Sequence, residues 1–291
     1  MGLAKRFRRV PAIEDMDLDV PEGAIYALLG PHGAGKTTLV RTLLNVLEPS
    51  AGRAEVLGVD SRRLGPREFA RMAYLAADQE LPETMTAGHY LRFLRGFYPT
   101  WDLDLESKLV RRFQLLLDWK FARLSEAARR KAALVSSLAC RPALMALDDP
   151  FRDIDAVSRD EMLAAVLENA QGATIMLCAE EAGEVEVFAT HIGWIEKGRL
   201  RLSESLESLR ARCLEVVLTF DEPPAMPVEW PAAWSAPESR GAVVRFLDTQ
   251  FDVERTTAEV HKRWPGIREA AANPAGLAEI LAVLARGWRT R

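Results

Sequence analysis

The stretch "GPHGAGKTT", residues 30–38, decides the fold of this chain. It matches the pattern G-x-x-x-x-G-K-[ST] and follows an apolar run, "AIYALL" (24–29), that predicts a strand. The residues "KTTLVRTLLNVL" (36–47) then show the apolar periodicity of a helix. The glycines of such a loop let backbone N–H groups turn inward toward phosphate oxygens. Lys36 would reach the β- and γ-phosphates and Thr37 would offer its hydroxyl to Mg²⁺, so the stretch predicts binding of a nucleoside triphosphate.

A second apolar run, "ALMAL" (143–147), ends at two adjacent aspartates, Asp148 and Asp149. Adjacent carboxylates repel each other, and the end of a buried strand is a costly place for them unless a cation is bound there. We expect Asp148 to hold Mg²⁺ together with Thr37. For Asp149 the spacing leaves two interpretations open: a general base that orients the attacking water, or a turn residue before Pro150.

Apolar runs and helical stretches alternate along the first two thirds of the chain. The run "ATIMLCA" (173–179) follows a helical stretch at 156–170, and such alternation predicts an α/β fold. We expect a parallel sheet flanked by helices, the core of a P-loop NTPase, with a helical subdomain at about 80–140. Beyond it the pattern changes to short strands and a final amphipathic helix. The chain therefore divides into a nucleotide-binding domain, residues 1–208, and a small C-terminal α+β accessory domain, residues 209–291.

The composition is that of a soluble globular protein. Hydrophobic residues make up 48% of the 291 residues and charged residues 27%, with a net charge of −4. That charge gives no reason to expect a nucleic-acid partner. No apolar stretch approaches the roughly 18 residues needed to span a bilayer. The three cysteines, Cys140, Cys178 and Cys213, are far apart and lack metal-ligand spacing, as expected in a reducing cytoplasm.

Over roughly residues 4–210 the order of these motifs resembles the ATP-binding cassette (ABC) family, the nucleotide-binding subunits of membrane transporters. The opening stretch is similar to the Walker A loop, and "ALMALDDPF" (143–151) to the Walker B motif. The segment "LSEAARRKAALVSSLACRP" (124–142) lies directly upstream of Walker B, where the family has its LSGGQ signature. "DID" (153–155) occupies the position of the D-loop.

The resemblance implies a set of residues that bind ATP and Mg²⁺. Asp149 would be the catalytic acid, and Thr37 and Asp148 would be the metal ligands. Phe7 lies at the distance before the loop expected of the aromatic ring that stacks on adenine. His32 occupies a variable place and is interpreted as a tolerated substitution rather than a ligand. The nucleotide-binding residues would be Phe7, Gly30, Pro31, His32, Gly33, Ala34, Gly35, Lys36, Thr37, Thr38, Ser125, Asp155 and Glu180.

The resemblance also implies partners. Two cassettes would face head to tail, each ATP lying between one Walker A loop and the signature of the other cassette. "LRFLRGFYPTWD" (91–102) and the C-terminal domain are similar to a bacterial subgroup of exporters whose cassette is a separate chain. We therefore expect a homodimer or heterodimer with another cassette, a membrane permease as partner, and no nucleic acid. The expected location is cytoplasmic, peripheral on the cytoplasmic face of the inner membrane.

Several positions depart from the pattern of the family. Glu126 and Ala127 replace two glycines of the signature, so a carboxylate lies at a helix N-terminus that should receive phosphate. Glu180 stands where the family presents its switch histidine, and an ionised glutamate only accepts hydrogen bonds. The glutamine of the Q-loop aligns with Ala77, while Gln79, two residues on, stays open as a substitute.

These departures concern hydrolysis more than binding. Asp149 stands where most members carry the longer glutamate and is expected to be at best a poor base. Ser125 is retained and can cap its helix and contact a γ-phosphate. Because a general base and one transition-state donor are each worth about 100-fold or more, we expect ATP binding with reduced hydrolysis.

Two other functions stay open. The chain could be a non-hydrolysing, degenerate cassette that acts as the regulatory partner of an active cassette in a heterodimer. It could also be a cassette outside transport, in translation or DNA maintenance. The sequence shows neither the fused double cassette nor the long coiled-coil insertion typical of that last group.

Overall fold

The computed structural model describes residues 2–289. They form two compact units. The first contains the residues up to Glu180 together with Ile192–Ser203, and the second contains Glu181–His191 together with the residues from Glu204 onward. Within the described range, no helix combines the length and the apolar character needed to cross a membrane.

Strands and helices alternate along most of the chain. The strands are β1 (Leu3–Phe7), β2 (Val10–Met16), β3 (Ile25–Leu29), β4 (Glu55–Val56), β5 (Val59–Asp60), β6 (Met72–Ala76), β7 (Leu144–Asp148), β8 (Thr174–Ala179), β9 (His191–Glu196), β10 (Arg199–Ser205), β11 (Leu214–Thr219), β12 (Trp234–Arg240), β13 (Val243–Asp248) and β14 (Glu269–Pro274). The helices are α1 (Lys36–Leu43), α2 (Pro66–Phe69), α3 (Ala87–Arg95), α4 (Leu103–Arg112), α5 (Glu126–Ala139), α6 (Ala156–Asn169), α7 (Leu206–Arg212), α8 (Val253–Arg263) and α9 (Leu277–Arg289).

A six-stranded sheet in the order β10-β9-β3-β8-β7-β6 forms the centre of the first unit. Strand β8 is parallel to both β3 and β7, and β7 is parallel to β6. All six residues of β8 are buried, as in a central parallel strand covered on both faces. The predicted α/β core of a P-loop NTPase is therefore confirmed.

The register of the sheet places three strand ends at one edge. Leu29 pairs with Ala179, and Asp148 pairs with both Cys178 and Ala76. The residues that follow β3, β7 and β8 therefore leave the sheet side by side. This edge carries the phosphate loop, the two aspartates and Glu180.

Side-chain caps fix where the helices of the segment between β6 and β7 begin. Thr86, Asp102 and Ser125 each accept a hydrogen bond from a backbone N–H in the first turn of α3, α4 and α5. Inside the segment, Glu106 is almost fully buried and accepts hydrogen bonds from Arg95 and from the indole of Trp101. The helical character predicted for this region is present.

The second unit contains an antiparallel sheet in the order β12-β13-β11-β14. Its core is aromatic: Phe220, Trp234, Phe246 and Trp264 are buried together. Beside them Asp248 is fully buried and accepts hydrogen bonds from the indole of Trp234 at 3.0 Å and the hydroxyl of Thr256 at 2.7 Å. These donors satisfy a carboxylate that would otherwise be costly to bury.

Candidate nucleotide-binding site

The loop between β3 and α1 has the backbone conformation of a phosphate-binding loop. Gly33 and Gly35 have φ angles of 73° and 110°, in the left-handed region that favours glycine. At Gly35 the space is also closed, because an added Cβ would lie 2.5 Å from the carbonyl oxygen of Ala12. Helix α1 begins at the next residue, Lys36. Glycines in these conformations and a helix N-terminus together form an anion-binding concavity.

Lys36 lies inside this loop. Its side chain is buried, and its ammonium donates hydrogen bonds to the carbonyl oxygens of Gly30 at 2.6 Å and Pro31 at 3.1 Å. The ammonium of Lys36 is therefore held against the backbone of the loop. An incoming phosphate would exchange those neutral acceptors for charged oxygens, which form stronger hydrogen bonds.

Thr37 and Asp148 meet across the strand edge. The Thr37 hydroxyl donates to Asp148 Oδ1 at 3.0 Å, and the phenol of Tyr74 donates to Oδ2 at 3.3 Å. Asp148 is only 3% exposed; burial raises its pKa, and these two hydrogen bonds lower it. Burial also raises the pKa of Tyr74 to about 12, which keeps the phenol protonated as a donor.

The donor set fits Mg²⁺ bound together with a nucleotide. A hydroxyl and a carboxylate are hard oxygen ligands of the kind that Mg²⁺ prefers. Among the residues that the structure describes, there is no group of three or more His, Cys, Asp or Glu side chains that could hold a metal ion. The protein would thus supply Thr37 and Asp148, and phosphate oxygens and water would complete the octahedron.

The substitution Asp148→Asn tests the metal assignment. Asparagine keeps the shape and still accepts from Thr37, but it lacks the charge that attracts the cation. We expect the Mg²⁺ concentration needed for half-maximal ATP binding to rise about 10-fold. A Mg²⁺ titration with a fluorescent ATP analogue measures this concentration. The control is Asp104→Asn, at an exposed position. If Asp148→Asn leaves the half-maximal Mg²⁺ concentration unchanged, Asp148 is not a metal ligand.

Asp149 lies in a tight turn and in an ion pair. Its φ is 53°, and its backbone N–H donates to the carbonyl oxygen of Cys178 at 3.1 Å, which ties the end of β7 to β8. Its Oδ2 accepts a hydrogen bond from Arg152 Nε at 2.7 Å and lies 2.5 Å from a second guanidinium nitrogen in an ion pair. The pair raises the pKa of Arg152, whose guanidinium stays charged. Sequence reasoning missed Arg152; its signal was the spacing of three residues from an aspartate.

Glu180, directly after β8, contacts the phosphate loop. Its Oε1 lies 3.2 Å from Nδ1 of His32, and the side chains are 41% and 84% exposed. The structure thus brings together two residues that the sequence treated separately. The sequence favours His32 as a tolerated substitution. In the structure its imidazole contacts the carboxylate of Glu180.

The N-terminal turn of α5 is tied to the end of β7 through Arg130. This side chain is 5% exposed and donates to Glu126 Oε1 at 2.8 Å, to the Ala77 carbonyl at 2.8 Å and to the Pro150 carbonyl at 3.1 Å. The unexpected Glu126 therefore has a buried cation as its partner. Ser125 caps the same helix by accepting from the N–H of Ala128 at 3.3 Å, as its retained hydroxyl predicted.

The remaining predicted residues have simpler surroundings. Asp155 caps α6 and accepts from the N–H of Ser158, and the same backbone hydrogen bond lowers its pKa. Phe7 ends β1, is 47% exposed and has the ammonium of Lys5 5.3 Å from its ring centroid. Gln79 has a buried side-chain oxygen without a hydrogen-bond partner among the described residues. Among the described residues, no hydrogen bond or ion pair joins Phe7, Ser125 or Asp155 to the phosphate loop.

Comparison with known proteins agrees with this geometry. A family model described as "ABC transporter" matches residues 13–152. The chain is 26% identical over 221 residues to the ABC transporter ATP-binding protein YtrB of Bacillus subtilis, covering 75% of each chain. It is 31% identical over 216 residues to the daunorubicin resistance ATP-binding protein DrrA2 of Streptomyces coeruleorubidus, covering 72% of this chain and 67% of the relative.

Solved structures share the fold. An ATP-binding subunit of an ABC transporter superposes with a TM-score of 0.65 at 24% identity, covering 72% of this chain and 90% of the other. A dimeric ATP-binding cassette bound to ADP and Pi gives a TM-score of 0.62 at 17% identity, covering 70% of this chain and 97% of the other. The resemblance inferred from the motifs is confirmed: the chain belongs to the ABC transporter family, as one of its ATP-binding ATPase subunits.

Proposed function

We propose that the chain binds MgATP at the interface of a cassette dimer and couples that binding to export through a separate membrane permease, with reduced hydrolysis. Residues 1–208 would form the cassette and residues 209–291 the accessory domain, working at the cytoplasmic face of the membrane. The name of DrrA2, a drug-resistance ATP-binding protein, supports export. The observation that carries the reduced hydrolysis is the ion pair between Asp149 and Arg152.

The binding half of the site has what ATP requires. Lys36 lies within the loop and would bind the terminal phosphates, while the start of α1 adds its positive end. Thr37 and Asp148 would hold Mg²⁺, which neutralises charge on the β- and γ-phosphates when bound. Tyr74 and Thr37 fix the orientation of the Asp148 carboxylate through hydrogen bonds to its two oxygens.

The hydrolytic half is compromised by the Asp149–Arg152 pair. A general base needs a free lone pair within hydrogen-bond reach of the attacking water. Asp149 Oδ2 instead accepts a hydrogen bond from a charged guanidinium and forms an ion pair with it, with only 16% of the side chain exposed. Proton transfer from the water to that oxygen would break the charge-assisted pair with Arg152, so the pair opposes the role of a base.

The substitution Arg152→Ala should release Asp149. We expect ATP turnover to rise about 10-fold, less than the roughly 100-fold or more that a positioned base contributes, because other contacts stay altered. The gain should vanish in the double variant Arg152→Ala/Asp149→Ala. A phosphate-release assay measures both, and the exposed Arg111→Ala serves as the matched control.

Two results would contradict this account of Asp149. The first is strong turnover in the unchanged protein that Asp149→Ala abolishes, since Asp149 would then already act as the base. The second is a gain from Arg152→Ala that persists in the double variant, since the released group would not be Asp149. Turnover is compared at saturating MgATP in all of these proteins, so that a change in affinity does not enter the comparison.

A second candidate is the degenerate regulatory partner of an active cassette in a heterodimer. The observation that favours it is Glu126 at the start of α5, where the resemblance implies that the signature faces the ATP of the other cassette. Pairing with Arg130 offsets its charge but leaves the carboxylate 53% exposed. Mixing the chain with an intact cassette would distinguish the two candidate functions. A regulatory partner should change the ATP turnover of the intact cassette when the total protein concentration is kept equal.

A further inference from the structure

The contact between His32 and Glu180 joins the phosphate loop to the end of β8. Both side chains are largely open to solvent, and Nδ1 of the imidazole lies 3.2 Å from Glu180 Oε1. An ion pair this exposed contributes little to stability. The fold therefore does not depend on it, and its position within the phosphate loop is its distinctive property.

The carboxylate determines how the imidazole is presented. An ionised glutamate only accepts hydrogen bonds, so the Nδ1 facing it carries the proton. That leaves Nε2 on the opposite edge of the ring, without a hydrogen-bond partner among the described residues. The ring is thus oriented by Glu180 and open on its other side.

His32 directly follows the part of the loop that the ammonium of Lys36 contacts. Lys36 donates to the carbonyls of Gly30 and Pro31, the two residues that precede His32, so we expect a phosphate bound by Lys36 to lie near His32. Across the strand edge, Arg152 lies within electrostatic range of Glu180, Asp148 and Asp149. Arg152 is committed to Asp149, which leaves His32 as the cation-forming group in direct contact with Glu180.

Without the histidine, Glu180 would repel ATP. Like charges repel each other even near a protein surface, because the effective dielectric there is below that of bulk water. An imidazolium between carboxylate and phosphate replaces this repulsion with two charge-assisted hydrogen bonds, one from each ring nitrogen. Donation from both ring nitrogens requires the imidazolium form, because a neutral imidazole has only one N–H.

We propose that His32, oriented by Glu180, donates a hydrogen bond from Nε2 to the terminal phosphate of ATP and so makes the site select a triphosphate over a diphosphate. This rests on the proposed function, because it requires ATP in the loop. Glu180 is a positioning residue in this arrangement: it acts on the nucleotide through the ring of His32.

The first test compares ATP with ADP. In His32→Ala, affinity for MgATP should fall about 10-fold, since one charge-assisted hydrogen bond is lost, whereas affinity for MgADP should stay within about 2-fold. Isothermal titration of the full chain measures both ligands. The exposed histidine variant His89→Ala is the matched control and should change neither affinity.

The second test is a double-mutant cycle, in which Glu180→Ala should affect MgATP affinity differently with and without His32. In the His32→Ala background Glu180 is unpaired and repels phosphate, so adding Glu180→Ala should raise MgATP affinity about 10-fold. In the unchanged protein Glu180→Ala removes the group that orients the ring and should not raise MgATP affinity. Thermal unfolding should be nearly unchanged in all of these variants, because both side chains are exposed.

The outcomes separate this inference from the proposed function. If the unchanged chain binds neither ATP nor ADP, the proposed function fails. If it binds ATP but His32→Ala keeps the same ratio of ATP to ADP affinity, or the effects of the two substitutions simply add, the role of His32 is wrong and ATP binding stands.

Discussion

Lys36→Ala should abolish useful ATP binding, lowering the affinity for MgATP about 100-fold or more. The ammonium is the cation inside the loop, and its present partners, the carbonyls of Gly30 and Pro31, show that it is already positioned there. Alanine removes both the charge and the hydrogen-bond donors. The helix N-terminus alone contributes only a small favourable free energy to the binding of phosphate. Isothermal titration with MgATP checks the change.

The control for Lys36→Ala is another lysine. Lys108 is an exposed residue of α4, outside the nucleotide site, and Lys108→Ala should leave the affinity unchanged. Circular dichroism establishes that both variants are folded. A folded Lys36→Ala protein that binds MgATP within about 3-fold of the unchanged chain would contradict the role of the loop, since the loss of a charged hydrogen bond predicts more.

Gly35→Ala should lower the free energy of unfolding by about 3–5 kcal/mol. Two costs add at this position. Its φ of 110° disfavours any residue with a Cβ, and that Cβ would lie 2.5 Å from the backbone oxygen of Ala12. Because the obstacle is backbone and not a flexible side chain, the loop and β2 must separate. Urea unfolding followed by circular dichroism gives the value.

Gly33→Ala is the matched control for this prediction. Gly33 has a φ of 73° in the same loop, but nothing lies within 4 Å of its Cβ position. It should therefore carry only the backbone strain, about 1–2 kcal/mol. Equal losses in the two variants would mean that the close approach to Ala12 is not what requires glycine at position 35.

Much of the binding half of the site was predictable from the sequence because local patterns determine it. The glycine spacing predicted the loop, and an apolar run ending in acid predicted a Mg²⁺ site of Thr37 and Asp148, whose side chains the structure joins by a hydrogen bond of 3.0 Å. Parallel strands must end at one edge of the sheet, so motifs far apart in sequence converge there. The hydroxyl at Ser125 predicted a helix cap for the same local reason.

The partners of the unusual acids differ in how predictable they were. Glu126 and Asp149 pair with Arg130 and Arg152, four and three positions further along the chain, so local spacing was a usable signal for both. Glu180 pairs with His32, 148 positions away, and tertiary packing brings those two residues together. The strand order of the C-terminal sheet is likewise set by long-range pairing of β11 with β13 and β14.

These three pairs share one physical consequence. Each carboxylate that departs from the family's pattern has a basic side chain as its partner in this chain, and we expect these partners to reduce the repulsion of ATP. They do not restore a free base, because Asp149 is the acid that Arg152 contacts through Oδ2.

The most direct test is to measure MgATP binding and ATP turnover on the same purified chain, with Lys36→Ala as the blank. We predict saturable binding that Lys36→Ala abolishes, together with turnover close to that of the blank. Turnover far above the blank that disappears in Asp149→Ala would contradict the account, because Asp149 would then be a working base despite Arg152.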